Sequence, residues 1–497
     1  MRKLLIGLLL TTGLALLGLG LWANWQNPQQ DVAKKHYERP QHSQEAQQQY
    51  VQRLSQAVKF KTISSRGDTQ QTQQAFDDFN YFLYVSYPKA MAEITLQHTS
   101  SNSQLFLLKG TDSSLAPLLL IAHSDVVPAQ TTVLKSVYNS TGSGWQHKPF
   151  SGHIDQHYIW GRGTLDNKSA VLAMFEALEL RVLDEGARSK RDIYIAVTHD
   201  EEVGGHEGAK QIAAYLKRQQ VRPYFILDEG QAVTQGIVPN VEKPVALIGV
   251  SQKGYMTLEL SALGEPGHSM MPPKATAISI ISKAIDKLTQ SPMPAEMTSP
   301  IKAMFRELSY EMAFPNNLVL FHTWLTEPLV NGQLQKQPAT DALIRSSMSV
   351  NVINGGIAEN VLPRKVLALI NYRIAPHNSS DDILKHVRGT LDGMGVSIKV
   401  VSAIEEPAAI TDYNHDAYLL VKKTISDIFP DALVAPSITL STTDSRHFSG
   451  LSENIIRFCP IFLKKEDLKR FHGINERISK DNYVQMIDFY GRLMDLN

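Results

Sequence analysis

The sequence predicts an α/β protein: a mixed, mainly parallel sheet flanked by helices and interrupted by an inserted α+β domain. Three observations point there. P-L-L-L-I-A, ending at Ala122, is apolar without a break, as in a strand buried on both faces of a sheet. Strand-like and helix-like runs then alternate: Ile159-Trp160, a helix over Ser169–Leu183, a strand ending at Val197, a helix over Glu207–Arg218 and a strand at Tyr224–Asp228. From about Ser251 the texture changes. Gly254–Ala262 alternates like a strand with one exposed face, and Ala275–Leu288 and Ser380–Leu391 carry helical spacing between further alternating runs at Met348–Ile353 and Val366–Ile374.

Taken in order, the chain of 497 residues opens with Arg2 and Lys3 before an uncharged apolar run, Leu4–Ala23, closed by Trp22 and Trp25. Some twenty such residues span a bilayer core, and tryptophans suit its interface. The basic end stays cytoplasmic, so an uncleaved anchor puts the remainder on the periplasmic, lumenal or extracellular side. A cleaved signal peptide is the competing reading and would make the protein secreted. Domain expectations are an anchor or signal over 1–25, a Gln-rich tether over 26–42, a first catalytic part over 43–250, a lid or dimerisation domain over 251–402 and a second catalytic part over 403–497. A helix with Tyr50, Val51, Leu54 and Val58 on one face begins the catalytic part. The stretch Pro292–Thr340 is punctuated by prolines and shows no dominant period.

Lys+Arg and Asp+Glu both number 49, so no global charge points to nucleic acid. Cys459 is the sole cysteine, which excludes an intrachain disulfide framework and reads as a small buried hydrophobe.

Chemistry gathers where apolar runs stop: His123 and Asp125 in A-H-S-D-V-V-P, Asp166 in W-G-R-G-T-L-D-N-K, Glu201 and Glu202 in T-H-D-E-E-V-G-G, and Asp228 in L-D-E-G. The carboxyl ends of the strands in an open sheet line one crevice. Adjacent carboxylates there repel unless a strong positive charge compensates them; the bland alternative for Glu201-Glu202 alone is a solvated acidic turn. Imidazole and carboxylate donors without thiolate suit a hydrolytic zinc or manganese centre. Two divalent ions about 3.5–4 Å apart can share one carboxylate. In H-x-D, Asp125 can reach back to the other ring nitrogen of His123 and fix its tautomer. One of the paired glutamates can ligate while the other serves as base.

These motifs, in this order, resemble the co-catalytic zinc aminoacylase/carboxypeptidase family, and within it most closely its carboxypeptidase S and secreted N-acyl-amino-acid hydrolase branch. The likeness runs from about Leu54 to the C-terminus. It implies a zinc-peptidase-like fold with two zinc ions per subunit, cobalt or manganese being alternatives. His123 and Asp228 would hold one ion, Glu202 and His472 of F-H-G-I-N-E-R the other, and Asp166 would bridge them. The bond Asp166–Asn167 would be cis; many relatives carry Asp where this chain has Asn167. The resemblance makes Glu201 the general base. It makes His268, in G-E-P-G-H-S, an oxyanion donor that often reaches across a homodimer formed through the lid. Arg373 and Asn360 would contact the substrate, with Arg446 a second candidate for its carboxylate; Glu229 would be solvated or supporting. The implied reaction is cleavage of an amide beside a free carboxylate, of a peptide or alternatively an N-(fatty) acyl amino acid. A non-catalytic binding relative would have lost base or ligands, and here each expected position is filled.

Overall fold

The computed structural model describes residues 37–64, 70–129, 144–182 and 189–497. The apolar run at Leu4–Ala23 lies outside them, as does most of the tether. Among the described residues, no helix is long and apolar enough to cross a membrane.

Helix α1 (Gln44–Lys59) starts at Ser43, whose hydroxyl accepts the Ala46 amide, and it buries Tyr50, Leu54 and Val58 at the expected i, i+4 spacing. Two further helices, α2 (Gln70–Ser86) and α3 (Pro88–Glu93), lead into an antiparallel hairpin, β1 (Ile94–Ser100) and β2 (Ser103–Leu108). Then follow β3 (Leu118–His123), the short pair β4 (His153–Ile154) and β5 (Tyr158–Trp160), α4 (Lys168–Val182), β6 (Ile193–Thr198), α5 (Ala209–Arg218), β7 (Phe225–Gln235) and β8 (Val245–Gln252). Every residue of β3 is buried, as its unbroken apolarity requires.

The segment expected to form the lid contains a four-stranded antiparallel sheet. Its members are β9 (Gly254–Leu263), β11 (Ser347–Asn354), β13 (Lys365–Ile374) and β14 (Ser397–Val400), in the order β11-β13-β9-β14. A second, two-stranded ribbon joins β10 (Gly267–His268) to β12 (Val361–Leu362). Alternate residues of β9 and β13 are buried against α6 (Ala277–Gln290) and α11 (Ser380–Thr390), giving the one-sided sheet that the alternation predicts. The chain then returns through α12 (Asp416–Ile428), β15 (Leu433–Thr439), β16 (Ile455–Lys464), β17 (Arg477–Ser479) and α13 (Lys480–Asp495). The main sheet runs β1-β2-β6-β3-β7-β16-β8-β15, parallel across β6-β3-β7-β16 and antiparallel at the β1-β2 edge.

The unplaced stretch forms four short helices: α7 (Ser299–Ser309), α8 (Asn316–Phe321), α9 (Thr323–Leu334) and α10 (Pro338–Ile344). They do not join the lid core. Ile301, Met304, Phe305 and Leu308 pack instead with Val245, Leu433, Ala435 and Ile438 at the edge of the main sheet. The middle third of the segment 251–402 thus buries its apolar face on the main sheet.

Candidate metal centre

His123 closes β3 and lies in register with Thr198, the last residue of β6. The strand end at Thr198 leads directly into a single 3₁₀ turn, Glu201–Val203, so Glu201 and Glu202 come up beside His123. Asp125 ties these pieces together. Its carboxylate lies 3.2 Å from His123 Nδ1 and accepts the backbone N–H groups of Glu201 (3.3 Å) and Glu202 (3.2 Å). Burial pushes the Asp125 carboxyl up, but the hydrogen bond and charge of His123 prevail and hold it below its usual range.

Asp166 stands between two imidazoles. One oxygen lies 2.9 Å from His123 Nε2 and the other 3.1 Å from His472 Nε2. His472 Nε2 is also 3.1 Å from Glu202 Oε2, and Glu229 Oε1 is 3.5 Å from His123 Nε2. Donor atoms of His123, Asp166 and Glu202 lie within 4.8 Å of one another, as do those of His123, Glu201 and Glu229. A tetrahedral ion with bonds near 2.1 Å separates its ligands by roughly 3.4 Å, so these spacings fit divalent metal. The buried Oε1 of Glu202 has no hydrogen-bond partner, as suits a carboxylate oxygen free to ligate a cation. Charge agrees: four carboxylates, Asp166, Glu201, Glu202 and Glu229, crowd two imidazoles. The peptide bond Asp166–Asn167 is cis, as the resemblance implies.

Asp228, expected as a ligand, is buried; its carboxylate accepts the N–H of Ser445 at 2.6 Å and of Glu229 at 2.9 Å, and it belongs to neither donor group. The register of β7 against β16 shifts between Asp228 and Gln231, and one residue in that shift brings its carboxylate within 3.5 Å of His123 Nε2. That residue is Glu229, which also accepts a hydrogen bond from Asn167 Nδ2 at 2.6 Å. The amide of Asn167 thus supports Glu229, where an aspartate would repel it.

Burial and the nearby Glu229, Asp444 and Glu202 carboxylates hold Glu201 well above the usual carboxyl range, against the pull of His123. Hydrogen bonds that His472 donates to the Asp166 and Glu202 carboxylates push it up to about 10, against its burial. Asp444, missed by sequence reasoning, is buried with both oxygens unpaired, and burial together with Asp228 raises it well above its usual range.

The remaining candidates lie apart from the donors. Arg373, on β13, is half-buried with its guanidinium 5.0 Å from the Tyr255 ring centre, and burial lowers its pKa. Arg446 follows Asp444 and comes within 3.8 Å of Glu405; Arg373 feels the charges of both. His268 and Asn360 sit together on the ribbon of β10 and β12, where Ser269 N–H donates to the Asn360 carbonyl at 3.1 Å. Both are exposed, and His268, whose Nδ1 accepts the Met270 N–H, belongs to neither donor group.

A model of peptidase family M20/M25/M40 matches residues 119–496. Among curated proteins, a probable carboxypeptidase S-like protein of Dictyostelium discoideum is 38% identical over 448 residues, covering 89% of this chain and 84% of that one. An N-fatty-acyl-amino acid synthase/hydrolase of Xenopus tropicalis is 36% identical over 450 residues, covering 90% of this chain and 85% of that one. Among solved structures, an M20 family metallo-carboxypeptidase from Sulfolobus solfataricus superposes with a TM-score of 0.64 at 17% identity, covering 90% of this chain and 98% of that one.

Proposed function

Because the chain belongs to peptidase family M20/M25/M40, we propose that it is a two-metal carboxypeptidase cleaving the amide beside a free C-terminal carboxylate. The observation that carries this reading is one carboxylate, Asp166, held between the Nε2 atoms of His123 and His472. His123, Asp166 and Glu229 would hold one ion, and Asp166, Glu202 and His472 the other, zinc being preferred. Ions bound there supply Lewis acidity to the scissile carbonyl and to the attacking water.

The rest is done by side chains. Glu201 takes the proton of the attacking water and returns it to the leaving amine, a transfer suited to a carboxyl whose surroundings raise its pKa. Asp125 fixes the tautomer of His123 and the turn that carries Glu201. Arg373, with Arg446 beside it and Asn360 further along the lid, receives the substrate carboxylate, for which a guanidinium offers a two-pronged fork. His268 is the oxyanion donor and comes from a second copy: β11 is the outer lid strand, and its Val352 and Ile353 are 44% and 64% exposed, an edge suited to pairing of lids. The run Leu4–Ala23 anchors the enzyme with this centre outside the cytoplasm.

One observation favours an N-acyl amino acid as the alternative substrate. Met270, Met271 and Ile357, on the loops beside His268 and Asn360, are 75%, 79% and 95% exposed, an apolar surface suited to a fatty chain. Amine release by the zinc-loaded full chain, on blocked dipeptides and on N-acyl amino acids of short and long chain, decides between them, with Glu201→Gln as blank. Preference for dipeptides supports the carboxypeptidase. Preference for long acyl chains replaces it, and silence on both overturns the substrate class.

A further inference from the structure

We propose that Glu476 is a positioning residue that sets the His472 side of the centre by tying the loop of His472 to the loop of Asp166; this rests on the reading that those residues hold metal. His472 needs such help. It is exposed, it lies on no helix or strand, and its φ of +53° is one a non-glycine residue keeps only where its surroundings dictate it. Packing does not fix it.

Glu476 is fully buried, four residues beyond His472. One of its carboxylate oxygens accepts three backbone N–H groups of the Asp166 loop: Gly163 at 2.9 Å, Leu165 at 2.8 Å and Asp166 itself at 3.3 Å. The φ of +94° at Gly163, natural for glycine, is part of how this short loop curls around a single oxygen. The other oxygen takes Arg162 Nη1 at 2.5 Å. Arg162, 1% exposed, then donates Nη2 to the carbonyl of Gly473, next to His472, at 3.0 Å. The carbonyl of Glu476 accepts the Gly161 N–H at 2.9 Å. A closed ring of hydrogen bonds thus runs from Asp166 through Glu476 and Arg162 to the neighbour of His472.

Buried ion pairs add little stability over well-packed apolar residues, so stability alone does not call for this pair. What the pair supplies is a fixed offset between two irregular loops that donate to the same ion. The other ion shares Asp166 with this loop but has supports of its own in Asp125, which holds His123, and Asn167, which holds Glu229. The effect of Glu476 therefore falls more heavily on the metal position of His472.

The test is metal uptake, read without turnover. The metal-free full chain in detergent is titrated with Zn²⁺ against a chromophoric chelator and, separately, with Co²⁺ followed by absorption, while circular dichroism and melting report the fold. Glu476→Gln is expected to take one ion with nearly unchanged affinity and the second at least about tenfold more weakly, the scale for groups that orient metal ligands. Arg162→Lys, which keeps the charge but loses the fork to Gly473, is expected to weaken the same ion by less, and it stands in should Glu476→Gln fail to fold. Two ions at unchanged affinity in a folded variant, or equal weakening of both, overturn the proposal. An unsubstituted chain that takes no ion overturns the metal reading as well.

Discussion

The two sides of the donor set are built by different means. On one side, His123 and Glu229 sit on neighbouring parallel strands, so sheet pairing brings them together, and both are at least partly buried. On the other, His472 stands on an exposed turn 306 residues from Asp166 in sequence, and only hydrogen bonds define its place. The first side is inherited from the hydrophobic core; the second is added to it. Substitutions therefore act through the strands on one side and through polar contacts on the other.

The largest expected effect breaks the strand-borne side. Glu229→Ala should reduce bound metal from two equivalents to one and cut amine release by about two orders of magnitude, as Lewis-acid assistance is worth several kcal/mol. Asp228→Asn, one residue away and bonded to the Ser445 and Glu229 amides, should keep both equivalents. Metal analysis of the purified variants with parallel rate measurements checks the pair; the reverse pattern would restore Asp228 as ligand. An intermediate effect is expected for Asp125→Asn, which leaves His123 in place but loosens its tautomer and the Glu201 turn. Metal affinity should fall about 10- to 100-fold, read by chelator competition, and the His123-side ion should leave first.

The smallest effect sharpens the comparison through pH. His447 touches the Gly204 carbonyl at 2.9 Å, at the end of the turn that carries Glu202. Burial, only partly offset by that carbonyl, lowers its pKa from 6.5 to about 4. Between these values the unfolded chain holds a proton on this histidine that the folded chain does not. Its contribution to stability is thus complete above pH 6.5 and is lost as pH falls towards 4. His447→Gln should flatten the decline of melting temperature over that window relative to the parent. An unchanged slope would show that His447 is not kept neutral by the fold.

The main sheet and the inserted one-sided sheet were legible in the sequence, since unbroken apolar runs, alternation and Gly-rich motifs report backbone geometry directly. His123, Asp166, Glu201, Glu202 and His472 meet as the motifs imply. The approach of Glu229 to His123 was hidden because it depends on an irregular register of β7 that L-D-E-G does not spell out. Glu476 was written in F-H-G-I-N-E, but its role depends on the amides of a loop some 310 residues away, which no local pattern reveals. The helices over 299–344 escaped for a related reason. They are short, Pro328 interrupts α9, and their partners Val245 and Leu433 are distant in the chain.

The way the lid is joined to the rest has a mechanical consequence. Lys253, where the chain enters the lid, donates to the Arg345 carbonyl where it re-enters, and Tyr255 bridges Glu405 where it leaves. These crossings lie side by side and form a narrow pivot. Arg373 pairs with Tyr255 at the pivot, whereas Lys365 and Leu263 mark the far end of the same ladder. The ten residues of β9 span roughly 33 Å at about 3.3 Å each, a lever arm beyond which the ribbon of His268 and Asn360 extends. Rotation about this pivot would leave the arginine nearly stationary while sweeping the ribbon through a wide arc. The carboxylate end of a substrate would thus be gripped near the axle, and the reach of the histidine would be set by the swing.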